Sequence, residues 1–230
     1  MALYLLLSMP LAVLLVSSLA LSGSLPAAGP RDSVALLARC FFVGIIAALP
    51  SQLVLLALDP LLGRSYRPGR LYFSSLLADH GLPLLLAATS YGVVYVVPIA
   101  LKSRNELTSF AETVAFLGGF LSVVAVAEFI GHRRESTGHL LFLLPTLRLV
   151  SVVVYAKALD RLASSRGSRR VLPAAAMVAW PSLAAFEGLW QRMGRVGAAT
   201  IFSLGAAMLC AAAFAAALGG RPAKRGPQPG

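Results

Sequence analysis

Long apolar runs, separated by short gaps that hold most of the charges, constrain this sequence more than any other feature. A helical bilayer span needs about 20 predominantly apolar residues, and seven runs approach or exceed that length. In such runs the backbone polar groups can bond to one another only as helices. We therefore predict an all-α, polytopic transmembrane bundle of about seven spans. These lie near residues 2–21, 34–58, 71–101, 110–130, 138–159, 171–186 and 196–218.

The overall composition agrees with this class. Charged residues make up 13% of the 230 residues and the mean hydropathy is +0.80, whereas a soluble domain carries about a quarter charged residues. No charged stretch is long enough to form a solvated domain. We expect residues 1–219 to form one transmembrane domain, and the Gly-, Pro-, Lys- and Arg-rich residues 220–230 to be a disordered basic tail.

The net charge of +11 would favour nucleic-acid binding in a soluble protein. Here the basic residues fall in the gaps between apolar runs, where they fix orientation and meet anionic lipid head groups. We therefore predict a lipid bilayer with anionic head groups as a partner and no nucleic acid. Cys40 and Cys210 lie inside apolar runs, a position typical of buried small side chains rather than of a disulfide framework.

Lysines and arginines are distributed unequally between the two sets of gaps. Eleven follow the odd-numbered spans and seven lie on the other side. Since cytoplasmic loops carry the excess of positive charge, the amino terminus is predicted outside and the carboxyl terminus in the cytoplasm, in a cytoplasmic membrane of bacterial type. The first run lacks the basic start of a secretory signal and is predicted to remain as a span.

Ionisable side chains gather near span ends on one predicted membrane face. Asp79 and His80 interrupt the third run, and Glu128, His132 and His139 surround the gap after the fourth. A part-buried carboxylate gains a raised pKa, and a nearby imidazole can orient water, so the cluster could perform acid–base chemistry. The candidate catalytic residues are Glu128, Asp79, His80 and His132.

Two other interpretations of this cluster remain open. Charged residues at span ends commonly sit among lipid head groups, with no chemical role. A zinc site formed by Glu128, His132 and His139 has suitable ligand types. The sequence has no His-Glu-x-x-His motif and no cysteine pair, however, so we predict neither a metal nor a cofactor.

Arg148 lies about halfway along the fifth run. A charge at that depth is costly unless it is paired or functional. We predict a structural ion pair between Arg148 and Glu112, with Glu128 and Asp79 as alternative partners. Gly118 and Gly119 are expected to allow close helix approach in the fourth span, and Glu187 is interpreted as an interface anchor.

Residues 34–160 resemble the PrsW-type intramembrane proteases. The segment 41–50 resembles an early span of that family, 116–120 followed by Glu128 resembles its glycine-rich span, and 82–101 resembles the span after its paired glutamates. The resemblance implies peptide-bond hydrolysis by a carboxylate-activated water. Ala78-Asp79-His80 stands where the family has paired glutamates, Phe129 replaces the asparagine after Glu128, and the fifth span has no histidine.

These departures favour a PrsW-like, non-catalytic relative that engages another membrane protein. If the chain is an enzyme, it is a carboxylate-dependent intramembrane peptidase. The alternative is a transporter or a subunit for assembly of a membrane complex, in which Arg148 and proline-broken helices serve a solute path or a partner interface.

Overall fold

The computed structural model describes residues 30–58, 68–96, 110–131, 144–164 and 167–219, and within these ranges it contains helices and one short turn but no strand. The predicted all-α class is confirmed for this part of the chain. The predicted first span at 2–21 and the predicted tail at 220–230 lie outside the described residues. The α-helices are α1 (Pro30–Leu58), α2 (Pro68–Ser74), α3 (Leu82–Tyr91), α4 (Phe110–Gly131), α5 (Leu144–Ser164), α6 (Val171–Arg192) and α7 (Val196–Gly219).

Four helical stretches in the described ranges are long and apolar enough to cross a membrane, fewer than the seven predicted. Helix α5 is not among them because Arg148, Lys157, Asp160 and Arg161 place four charges along its 21 residues. The sixth predicted span, at 171–186, is longer than expected because its helix continues to Arg192. In α7, Val196–Leu209 forms a shorter apolar helix. The four stretches are Ala35–Leu55, Leu71–Tyr95, Phe110–Ala127 and Gly167–Arg192.

Residues 68–96 form one continuous helix, so the interruption of the apolar run at Asp79–Pro83 does not break it. The helix widens into a π segment at Ser75–Gly81, and the Leu82 N–H bonds to the Leu77 carbonyl five residues earlier. Pro83 is the second residue of α3, directly after the π segment. A second π segment, Gly92–Val96, is the last part of this helix that the structure describes. Pro50 likewise lies inside α1 without ending it.

Helices α1 and α4 touch backbone to backbone at the centre of the fold. A Cβ atom on Gly44 would overlap the Phe116 carbonyl oxygen, and one on Gly119 would overlap the Phe41 carbonyl oxygen. Only glycine permits this approach, which is a common way for helices to associate in lipid. The predicted close approach at Gly119 is confirmed, and α4 is the central helix, since residues 113–122 are all buried.

Helices α3, α5 and α6 pack around this pair through polar contacts. The Tyr91 hydroxyl hydrogen-bonds to Thr113 Oγ1 at 2.9 Å. Between α5 and α6, the Tyr155 hydroxyl donates to the Met177 carbonyl at 2.5 Å and Trp180 Nε1 donates to Ser151 Oγ at 2.7 Å. Successive contacts pair earlier residues of α5 with later residues of α6, so these two helices run antiparallel.

Candidate functional site

Among the residues that the structure describes, three strongly polar ionisable side chains are fully buried: His80 in the first π segment, Arg148 in α5 and Glu187 in α6. Burial of a charged side chain away from water is costly unless other groups satisfy it. These three side chains are therefore candidates for a chemical or a specificity role.

Contacts between the α2–π region and α6 bring two of these residues to one interface. The Tyr72 hydroxyl donates to the Ser182 carbonyl at 3.0 Å, and Arg192 Nη2 lies 2.9 Å from Asp79 Oδ2. Between these contacts Ser75 packs so closely on Gly188 that a Cβ there would overlap its hydroxyl. His80 follows Asp79 in the sequence and Glu187 precedes Gly188, so both lie beside this interface.

The antiparallel pairing of α5 with α6 brings in Arg148. Ser151 faces Trp180, and Arg148 lies one turn before Ser151. Continuing the register places Arg148 opposite Ala184, about one turn, roughly 5 Å, along α6 from Glu187. An arginine side chain is long enough to cover that separation. We call the buried residues Ser75, His80, Arg148, Glu187 and Ser203 the polar layer.

Two serine hydroxyls of the polar layer differ from other serine hydroxyls of the bundle in their hydrogen bonding. Ser122 and Ser151 donate to carbonyls four residues earlier. Ser75 Oγ and Ser203 Oγ are fully buried and have no hydrogen-bond partner among the described residues. Ser203 follows Phe202, whose ring packs edge-on against Trp190 at 5.8 Å, so α7 contributes to the layer at the carboxyl end of α6.

The candidate catalytic residues have different environments. Asp79 is engaged by Arg192 in a salt bridge, and His80 is fully buried. Glu128 belongs to the last turn of α4, but its side chain lies outside the described residues, as do His132 and His139. The convergence of Glu128 and His132 with Asp79 therefore stays a prediction.

The two members of the predicted structural ion pair are described individually. Arg148 is fully buried in α5. Glu112 lies in the first turn of α4, where a carboxylate complements the helix dipole. Both side chains have interacting groups, and the Arg148–Glu112 pairing stays a prediction.

Sequence reasoning misplaced Glu187 and missed the role of Arg192. Glu187 is fully buried and not an interface anchor. The spacing of its neighbours could have indicated this burial. Ala184, Glu187 and Gly188 share a helix face, and the small residues on that face indicate close packing against another helix. Arg192 entered only as a charge that fixes orientation, although it holds Asp79 across 113 residues of sequence.

Within the residues that the structure describes, no group of three or more His, Cys, Asp or Glu side chains could hold a metal ion. The chain matches no protein-family model, no curated protein and no solved structure. Within the described residues, the Asp79–Arg192 ion pair and the Tyr72 hydroxyl join the α2–π region to α6.

The Asp79–Arg192 pair is expected to stabilise the contact between the first π segment and α6. Both side chains are partly exposed, Asp79 at 21% and Arg192 at 27%. We expect Asp79→Asn and Arg192→Gln each to lower the free energy of unfolding by about 1 kcal/mol. Because the two groups act on each other, the double variant should lose less than the sum of the single losses. Denaturation of the purified chain in detergent micelles measures all three variants.

The charge-reversed variant Asp79→Arg/Arg192→Asp is the control for this cycle. It should be more stable than either reversal alone, because opposite charges again face each other. The pair does not join the π segment to α6 if two results are found together. The stability losses of Asp79→Asn and Arg192→Gln are strictly additive in the double variant, and the charge-reversed double variant is no more stable than the single reversals.

Proposed function

We propose that the chain is a multi-pass integral membrane protein, PrsW-like but non-catalytic, that acts by engaging another membrane protein. It resides in the cell membrane with its amino terminus outside and its carboxyl terminus in the cytoplasm. The polar layer holds the helices in one arrangement, and the outward faces of the bundle are free to meet lipid or a partner. Four helical stretches long and apolar enough to cross a membrane support the membrane location, and the excess of Lys and Arg after the odd-numbered predicted spans is the basis for the orientation.

The observation that carries the non-catalytic part is the state of Asp79. A peptidase of the implied type needs a carboxylate that can take a proton from water. Asp79 Oδ2 instead accepts a hydrogen bond from Arg192 at 2.9 Å. The adjoining Ser75–Gly188 contact is also too tight to admit a water molecule between those two residues. Asp79 is thus used to join helices.

The outward faces of the bundle support the engagement part. Apolar side chains on three helices are strongly exposed: Ile46 is 65% exposed, Leu85 57% and Ile201 75%. Such residues require a hydrocarbon or protein environment. Because lipid tails are as apolar as these side chains, packing against a partner helix depends on shape and small residues rather than on the hydrophobic effect.

Photo-crosslinking in native membranes tests engagement. A photoreactive amino acid is placed in turn at Ile46, Leu85 and Ile201, one on each outward face. We expect one face to give a discrete adduct with a single membrane protein, while the other two give lipid adducts only. Equal yields of many adducts at all three positions would contradict a specific partner.

The buried Arg148 favours a second candidate, a transporter. Intramembrane charges commonly mark ion or solute pathways. In that case Arg148→Lys, which keeps the charge, should change flux of a solute in reconstituted vesicles without changing protein abundance. If Arg148→Lys alters abundance and no flux is detected, the residue acts in the bundle rather than in a pathway.

A further inference from the structure

The turn between α5 and α6 combines exposed arginines with exposed apolar side chains. Residues 167–172 are all exposed. Arg169 and Arg170 lie in a 3₁₀ turn, and Val171 and Leu172 follow at once with exposures of 68% and 79%. Gly167, the first residue of this turn, has a φ of +60° and so adopts the left-handed conformation that glycine tolerates best.

We infer that this turn binds the phosphate head groups of anionic phospholipids. This inference rests on the proposed membrane function and specifies one binding partner of the chain, a lipid that carries a phosphate group. A guanidinium group binds a phosphate through two parallel hydrogen bonds. Val171 and Leu172 lie directly beside the arginines and require hydrocarbon. A lipid supplies both the phosphate and the hydrocarbon, whereas a soluble phosphate supplies only the first.

The charges along the neighbouring helices strengthen this assignment. Lys157 and Arg161 lie in the last two turns of α5, and Lys157 is placed 5.2 Å from the centre of the Phe110 ring. The acidic side chains described at this end are Asp160, which pairs with Lys157 at 3.3 Å, and the part-buried Glu112. Positive charge therefore predominates at the end where α6 begins.

The other end of α6 is different. Arg192 is neutralised by Asp79 there, and Arg195 is exposed in the turn that follows. The two ends of one spanning helix thus differ in the charge they present. The basic end fits the leaflet that carries anionic lipids, and Arg195 provides a matched control at the opposite end.

The test measures lipid selectivity of the full chain. The purified protein is reconstituted in phosphatidylcholine membranes, and the protein-bound fractions of spin-labelled phosphatidylglycerol and spin-labelled phosphatidylcholine are compared. We expect the wild type to prefer phosphatidylglycerol, and added salt to weaken that preference. Each of Arg169→Gln and Arg170→Gln should reduce the preference about five-fold. Arg169→Lys/Arg170→Lys should keep most of it, and Arg195→Gln should leave it unchanged.

Two results would overturn the inference. One is an Arg169→Gln/Arg170→Gln variant that keeps the wild-type preference for phosphatidylglycerol. The other is an Arg195→Gln variant that loses as much of this preference as Arg169→Gln or Arg170→Gln does. Extraction with alkaline carbonate separates this outcome from failure of the proposed function. A wild-type chain that stays in the membrane without preferring phosphatidylglycerol contradicts only the lipid assignment. A chain that is released contradicts the membrane function itself.

Discussion

Replacing Arg148 by methionine is expected to lower the free energy of unfolding by about 4 kcal/mol, because the removal of one partner from a buried ionic arrangement typically costs 3–5 kcal/mol. The side chain is fully buried, and methionine fills a similar volume without the charge. The groups that interact with the Arg148 side chain would then lose their partner inside the bundle. Detergent denaturation of the purified variant, followed by circular dichroism, gives the change.

Two further variants show whether the loss comes from the polar layer. Arg195→Met removes an exposed arginine from the turn after α6 and should change stability by less than about 0.5 kcal/mol. If Arg148 and Glu187 act on each other, the double variant Arg148→Met/Glu187→Gln should lose less than the sum of the single losses. If Arg148→Met is as mild as Arg195→Met, Arg148 does not hold the helices together.

Gly119→Ala is expected to destabilise the bundle strongly for so small a substitution. The added Cβ would overlap the Phe41 carbonyl oxygen, so α1 and α4 would have to separate along their shared contact. Overpacking of a tight core costs about 1–3 kcal/mol, and here the obstructing atom is backbone that cannot rotate away. We expect a loss of about 3 kcal/mol in the same denaturation measurement.

Gly205→Ala provides the matched control for this substitution. Gly205 also lies inside a helix, but its Cβ would meet no atom within 4 Å. Alanine should be neutral there or stabilise the helix by up to about 1 kcal/mol through its better helix propensity. Equal losses at Gly119 and Gly205 would contradict the close α1–α4 contact and point to a general intolerance of the helices.

The sequence could predict features that depend on a single helix. The apolar runs predict the helical class and Gly119 predicts a close helix approach, because the length of an apolar run and the size of a residue are local properties of the sequence. The partner of Gly119 in that contact, Gly44, could not be predicted, because helix pairing is decided by the packing of the whole bundle. For the same reason the pairing of Asp79 with Arg192 is visible only in three dimensions.

The errors also have physical causes. The polar sequence Asp79–Pro83 interrupts an apolar run, yet the helix continues through it: a π segment ends just before the proline, and Asp79 and His80 reach α6 and the interior. Glu187 looked like an interface anchor because glutamate is rare in buried positions. The small residues around it, Ala184 and Gly188, draw that face of α6 into the bundle instead.

The chain is proposed to engage a membrane partner without cleaving it. The most direct measurement reconstitutes the purified chain in vesicles with the captured partner and follows the intact mass of that partner. We predict the same full-length mass with the wild type, with Glu128→Gln and with Asp79→Asn. A partner that is shortened by the wild type and left whole by Glu128→Gln would contradict the account and establish a peptidase.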